Sequence, residues 1–345
     1  MAIKVNGTDI ILNDRSLEVP NGYVGFGSIG AEALLDVTGM EVGDTIYVDD
    51  YEMLATWNGT NWITTDGTEV NYTSTTGGIM VQPGNGYQYH TFIEPGTFTS
   101  ERALNNLEVL VVGGGGGGGS DGSGAGGGGG GAGGLVYSTS VSISATSYSV
   151  TVGAGGAKQN SGGDSSFSSL VAKGGGGAKP YNQNGLPGGS GAGAGARSSF
   201  GAATQPGTTQ GFPTVHNAGN PGGGGDGNNE AGGGGGAGGV GPNRSGGVGL
   251  ELLAFRGSLI GVPAIDPLNG YFAGGGGGGT DWPTATPGGL GGGGQGSGVP
   301  GPPTGGRADA GIENSGGGGG GGGRNNNNAQ PGGSGIVVIR YQIGG

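Results

Sequence analysis

Side chains able to do chemistry are sparse in this chain of 345 residues, and most stand in short stretches between runs of glycine. Gly118, Ser120 and Gly122 fit the Gly-x-Ser-x-Gly pattern of a hydrolase elbow. With 100 glycines such a match arises by chance, the strand–turn–helix context is missing, and the only candidate bases are His90 and His216. There is no Gly-Lys-Ser/Thr phosphate loop, no histidine cluster and no cysteine. Asp121, Asp226 and Glu230 are oxygen donors of the kind calcium takes, but no metal or cofactor is expected. The sequons Asn58-Gly-Thr60 and Asn243-Arg-Ser245 are expected to go unused. What remains is recognition chemistry. Tyr181, Asn182, Asn184, Asp226, Asn228, Asn229, Asp281, Trp282, Arg324, Asn325 and Asn326 combine aromatic faces, charges and amides. Amides both donate and accept hydrogen bonds, so the set suits a sugar or a polar protein loop. The alternative is that these are solvated turn residues.

Composition narrows the class further. The formal net charge is −12, with 12 basic residues and no basic cluster, which argues against nucleic acid as a partner. No stretch approaches the ~18 apolar residues of a membrane span, so no membrane insertion is expected. The opening residues, Met-Ala-Ile-Lys-Val-Asn-Gly, lack a signal peptide's apolar core, so synthesis in a cytoplasm is expected, with release as part of a larger particle. Glycine and proline contents this high point to collagen or disorder. The glycine runs lack the Gly-X-Y period of collagen, and strand-like segments bracket them, which argues against disorder.

The elements that must position the polar stretches are strands and glycine runs. Residues 1–88 form β hairpins around Asn6-Gly7 and Asn58-Gly59, with Trp57 and Trp62 as cross-strand neighbours. So small a region needs oligomerisation or docking on another protein. Residues 89–345 form a second domain, with a β base of 89–112, 135–172 and 336–343 built as an antiparallel sandwich. The base encloses glycine-rich stretches at 113–134 and 174–335. Glycine is a poor helix former and a bare-glycine sheet has no side chains to stabilise it, which leaves the left-handed threefold helix of polyglycine. Without Cβ atoms such helices pack side by side and hydrogen-bond to several neighbours at once. The expected fold is therefore all-β with a polyglycine II lattice of about ten helices and almost no α-helix. Segments diluted with Ala, Ser or Pro, such as 188–195 and 288–298, are expected at its edge.

Ten antiparallel helices that begin at the base also end there, where the C-terminal strand must lie. Residues 120–125, 178–187, 226–231, 280–287 and 324–331 then connect helices at the end remote from the base. Residues 196–221, 240–273 and 299–315 connect them at the base, where Leu250, Leu252, Leu253, Phe255, Leu259 and Ile260 can pack on the sandwich.

Val-Thr-Val-Gly-Ala-Gly-Gly, Gly-Gly-Asp-Ser-Ser-Phe and the C-terminal Gly-Gly-Ser-Gly-Ile-Val-Val-Ile-Arg-Tyr, with the apolar strand running into glycine at Gly113, resemble the glycine-rich domain of tailed-phage tail-fibre and receptor-binding proteins. The stretch Gly-Asp-Thr-Ile-Tyr-Val with Trp-Asn-Gly-Thr-Asn-Trp is similar to virion-attachment regions of such fibres. The resemblance implies a virion-borne, non-enzymatic adhesin whose variable tip loops touch a host-surface receptor. It also implies attachment to other virion proteins, or homotrimerisation, through residues 1–88.

Overall fold

The computed structural model describes residues 2–5, 8–11, 42–48, 53–67, 75–101, 103–120, 125–205, 215–226, 229–298, 306–324 and 328–342. Near the N-terminus, β1 (Ala2–Val5) pairs with β2 (Thr8–Ile11), Val5 opposite Thr8. A separate meander joins β3 (Thr45–Val48), β4 (Met53–Trp57) and β5 (Trp62–Thr64). Trp57 stands opposite Trp62 with ring centroids 5.7 Å apart. The connection has four residues rather than the two that Asn58-Gly59 suggests. The Asn58 side chain accepts from the N–H groups of Thr60 and Asn61 at 2.8 and 2.7 Å, and this Asx arrangement widens the turn.

Thirteen further strands are described, all antiparallel. In chain order these are β6 (Thr75–Thr76), β7 (Ile79–Val81), β8 (Tyr87–Phe92), β9 (Gly96–Ser100), β10 (Leu104–Val112), β11 (Leu135–Ile143), β12 (Thr146–Thr151), β13 (Ser165–Phe167), β14 (Leu170–Ala172), β15 (Val215–Ala218), β16 (Leu250–Glu251), β17 (Tyr271–Phe272) and β18 (Ile336–Gln342). Eleven of them build the base, one sheet in the order β15-β11-β10-β18-β8-β7 and the other β14-β13-β12-β9-β6, while β16 and β17 pair as a separate two-stranded sheet. The base thus takes in Thr75–Val81, upstream of residue 89, and β15 from within the glycine-rich stretch. Residues 165–172 fold as a hairpin rather than one strand, turning at Ser168 with φ 52°. Between the two sheets lie Phe98, Leu107, Val109, Val111, Phe167, Leu170, Val337 and Ile339.

The six-stranded sheet is buried on its other face too, which explains why residues 107–112 are almost continuously apolar. Leu110, Val112, Leu135, Ile336 and Val338 meet Phe255, Ile260, Ile265 and Phe272 there. The covering segment carries two short 3-10 turns, Leu253–Phe255 and Pro263–Leu268, so residues 250–273 pack on the sandwich as their apolar side chains suggest. Lower on this face Arg340 binds both Glu108 oxygens at 2.8 Å and lies 4.2 Å over the Tyr87 ring.

At Gly113 side chains stop and a three-residue repeat of hydrogen bonds begins. The N–H groups of Gly113, Gly116 and Gly119 donate to Gly134, Gly131 and Gly128. Those of Gly114 and Gly117 donate to Gly163 and Asn160, and those of Gly115 and Gly118 to Gly333 and Gln330, all at 2.8–2.9 Å. Carbonyls of the same run accept from Gly175 and Ala178, from Gly156 and Gln159, and from Gly319 and Gly322. Every third residue faces the same neighbour, so the run is a threefold helix with six neighbours, three antiparallel and three parallel. None of the glycines at 113–119 or 126–131 has the positive φ that the mirror-image helix needs, so the helices are left-handed. A Cβ on Gly115, Gly127 or Gly130 would lie 1.9–2.0 Å from a neighbour's carbonyl oxygen. The runs at 126–134, 273–280 and 316–323 are likewise hydrogen-bonded to neighbours on all sides.

The lattice has more passes than the ten expected. Residues 153–157 run outward beside 113–119, and 160–163 return. The segment at 188–195, expected to be a single pass, contains a reversal. Leu186 and Gly189 donate to Gly177 and Gly174, running inward, whereas Ser190, Gly193 and Ala196 donate to Ala132, Gly129 and Gly126, running outward. The segment at 288–298 reverses as well, at Gly291 and Gly292 with φ 97° and 94°. A further short excursion occupies 240–249. Each of these adds an outward and an inward pass, so the chain still reaches β18 at the base. The alanine-bearing segment is not at the edge, because Ala192, Ala194 and Ala196 are fully buried.

Candidate functional site at the outward ends of the passes

The outward end is defined by backbone bonds around the start of the 126–134 pass. Gly126 donates to Asn229, Gly127 to Gly322 and Gly128 to Lys179, while Gly279 donates to Gly127 and Ala196 to Gly126. The turns that carry Tyr181, Asn229, Trp282 and Arg324 therefore gather at one end. Asp121, Asn228, Asn325 and Asn326 lie outside the described residues.

Two hidden reversals change which connections meet there. Residues 196–200, expected at the base, lie at the outward end. Asn182 donates to the carbonyl of Ala196 at 3.0 Å, and the Arg197 guanidinium sits 5.9 Å over the Tyr181 ring. Arg197 Nη1 also lies 3.3 Å from the Tyr181 hydroxyl. The expectation for 299–315 fails in the same way, since residues 306–312 run inward, with Asp309 and Ile312 donating to Gln295 and Gly292. The physical reason is common to both. A glycine run can turn without any change of residue type, so its reversals carry no sequence signal.

At the first cluster the polar side chains lace two turns together. Asn184 Oδ1 accepts from Ser199 N at 3.0 Å, and Ser198 Oγ donates to Gln183 O and Gly195 O at 2.7 and 2.6 Å. Asn182, Arg197 and Asn229 have φ of 59°, 60° and 67°. Asparagine tolerates this left-handed region, so part of its abundance here is turn chemistry.

The second cluster surrounds a cleft of about 670 Å³ lined by Glu230, Arg244, Asp281, Trp282, Pro283 and Thr284. Trp282 is 59% exposed, and its backbone N–H is held by Thr280 Oγ1 at 3.1 Å. Glu230 is ion-paired with Arg244 and its side chain is only 12% exposed. Burial raises the Glu230 pKa, as does a hydrogen bond with Asp226, while Arg244 and a hydrogen bond from Trp282 pull it down. Asp226 joins the two clusters, since its carbonyl accepts from Arg197 N at 3.2 Å and its Oδ1 from Glu230 N at 3.2 Å. Arg324 is exposed and donates its N–H to the Thr280 carbonyl at 3.3 Å.

Sequence reasoning missed Arg197, Arg244 and Thr284. Arg244 comes from the excursion at 240–249, where Ser245 N bonds Pro242 O in a tight turn. A signal for it existed, namely Pro242-Asn-Arg-Ser245 between short glycine pairs, but runs so short did not register as passes. Ser120 is buried where the first pass ends, whereas His90 is buried between the sheets and His216 is on β15, so neither accompanies Ser120 at the outward end. Among the described residues, no three His, Asp or Glu side chains gather as a metal site.

Comparison with curated proteins finds no match to the chain. The model of the glycine-rich domain family matches residues 91–342, which take in β10, β11, β18 and the whole lattice between them. The chain belongs to the glycine-rich domain family.

Proposed function

We propose that the chain is a non-enzymatic adhesin of a phage virion, a tail-fibre or tip protein that recognises a host-surface glycan or outer-membrane protein. The observation that carries this reading is the gathering of Tyr181, Arg197, Asp226, Glu230, Arg244 and Trp282 at the end of a lattice remote from its base. A lattice whose central passes are hydrogen-bonded to neighbours on all sides is a stiff support, and recognition side chains work best on rigid elements. The part of residues 1–88 that precedes β6 would bind other virion proteins or form a homotrimer, consistent with strand groups β1-β2 and β3-β4-β5 too small to bury a core alone.

A second reading treats the lattice as a stiff spacer in a virion fibre or capsid decoration. Asn182, Asn184 and Asn229 favour it, because backbone geometry or hydrogen bonds within the turns account for them. Binding of the fluorescently labelled full-length protein to a panel of bacterial cells separates the two. The adhesin reading expects binding to a subset of strains that the double variant Tyr181→Ala, Trp282→Ala loses. Equal binding by that variant, or none by the wild type, supports the spacer.

A further inference from the structure

The cleft beside Trp282 has a composition that selects among ligands. Its lining carries both signs of charge, and each sign excludes a class. Arg244 opposes a cation, and its guanidinium is committed on one side to Glu230. Glu230 and Asp281 together oppose an anion such as a phosphate or a sugar acid. What remains is a neutral molecule that both donates and accepts hydrogen bonds. The partly buried Asp281 offers a carboxylate acceptor for hydroxyl groups, and Arg244, with its side chain 43% exposed, retains donors beyond the one given to Glu230. The 59%-exposed Trp282 indole adds a broad flat apolar surface.

The polar framework is fixed before a ligand arrives. The backbone N–H of Trp282 is held by Thr280 Oγ1 at 3.1 Å, and Gly278 N binds the Arg244 carbonyl at 2.7 Å. The cleft, at about 670 Å³, falls within the range of small-ligand sites. A neutral pyranose has the matching features, with C–H groups over one ring face and hydroxyls around its rim.

We infer that this cleft binds a neutral pyranose unit of a surface glycan, stacked on Trp282 and hydrogen-bonded by Asp281 and Arg244. The inference rests on the adhesin reading and names the chemistry of its receptor. Saturation-transfer NMR on the full-length protein tests it with galactose, glucose and N-acetylglucosamine against cationic glucosamine and anionic galacturonate. The neutral sugars should give transfer to ring protons, with both charged sugars binding several-fold more weakly. Trp282→Ala should abolish the signal and Trp282→Phe should keep it. Asp281→Asn should weaken binding by about tenfold, the loss of one charge-assisted hydrogen bond. No transfer from any neutral sugar, preference for a charged one, or signals that survive Trp282→Ala would overturn the inference. Cell binding distinguishes this failure from that of the adhesin reading. If Tyr181→Ala abolishes cell binding while neutral sugars give no transfer, the protein is an adhesin for something else, such as a protein loop.

Discussion

The sandwich and the lattice meet between Val112 and Gly113 and solve the same problem by opposite means. In the sandwich, side chains fill the space. Phe98 meets Phe167 edge-on with centroids 5.9 Å apart, and Leu107, Val109 and Val111 interleave with residues of the facing sheet. In the lattice, backbones fill it, with N–H···O bonds to neighbours on every side and, at positions such as Gly115, Gly127 and Gly130, no room for a methyl group. Close packing is common to both, but the driving forces differ. One buries apolar area, while the other satisfies backbone polar groups that would otherwise be buried unpaired. The comparison teaches that glycine here acts by the absence of a side chain, more than by its conformational freedom.

The largest predicted effect lies in the sandwich. Phe98→Ala empties a fully buried site and should cost about 3–5 kcal/mol in urea unfolding. Next comes Gly130→Ala. Its Cβ would meet Gly116 O at 2.0 Å and Gly319 N at 3.0 Å, both backbone atoms that cannot rotate away. A loss of about 3 kcal/mol is expected, at the upper end of overpacking costs. A loss under about 1 kcal/mol would break the comparison, since the lattice would then yield as a loop does.

Acid should act on the sandwich before the lattice. His90 is buried, with its Nδ1 2.8 Å from Gly77 O, its Nε2 2.9 Å from Thr75 Oγ1 and Phe98 and Tyr341 against its ring. Burial lowers its pKa, and the Gly77 bond only partly offsets this. The unfolded chain then binds the proton more readily than the folded one. Stability is full above the unfolded value of about 6.5 and falls as pH drops from there toward the lowered folded value. Denaturation midpoints measured across this window should show the loss, and His90→Gln should flatten it.

The smallest effect sharpens the contrast from within. Gly224 lies on an outward pass but has no atom within 4 Å of its would-be Cβ and no positive φ. Gly224→Ala should therefore change stability by less than about 1 kcal/mol, on the stabilising side, because alanine restricts the unfolded chain. Thermal melts of Gly130→Ala and Gly224→Ala side by side separate steric exclusion from mere glycine content.

The strands were legible in the sequence because their side chains alternate or run continuously apolar, as at β10, β11, β12 and β18. The threefold helix was legible by elimination, since no other regular structure suits bare glycine. At the candidate site, Tyr181 and Trp282 could be assigned to one end by counting passes, and the structure puts them there. The count itself was too low. It survived because each missed excursion is an even number of passes. Where the loops were assigned individually, the same omission misplaced Arg197 and hid Arg244.

By itself the sequence determined where side chains must be absent, and hence which stretches pack backbone to backbone. It also determined the apolar strands that anchor those stretches, since burial on both faces of a sheet leaves a continuous hydrophobic run. Only the tertiary structure decided where the glycine chain reverses and which turns meet around Trp282. A run of identical residues makes a straight helix or a tight turn from the same letters, and the choice depends on hydrogen bonds to neighbours that are remote in sequence.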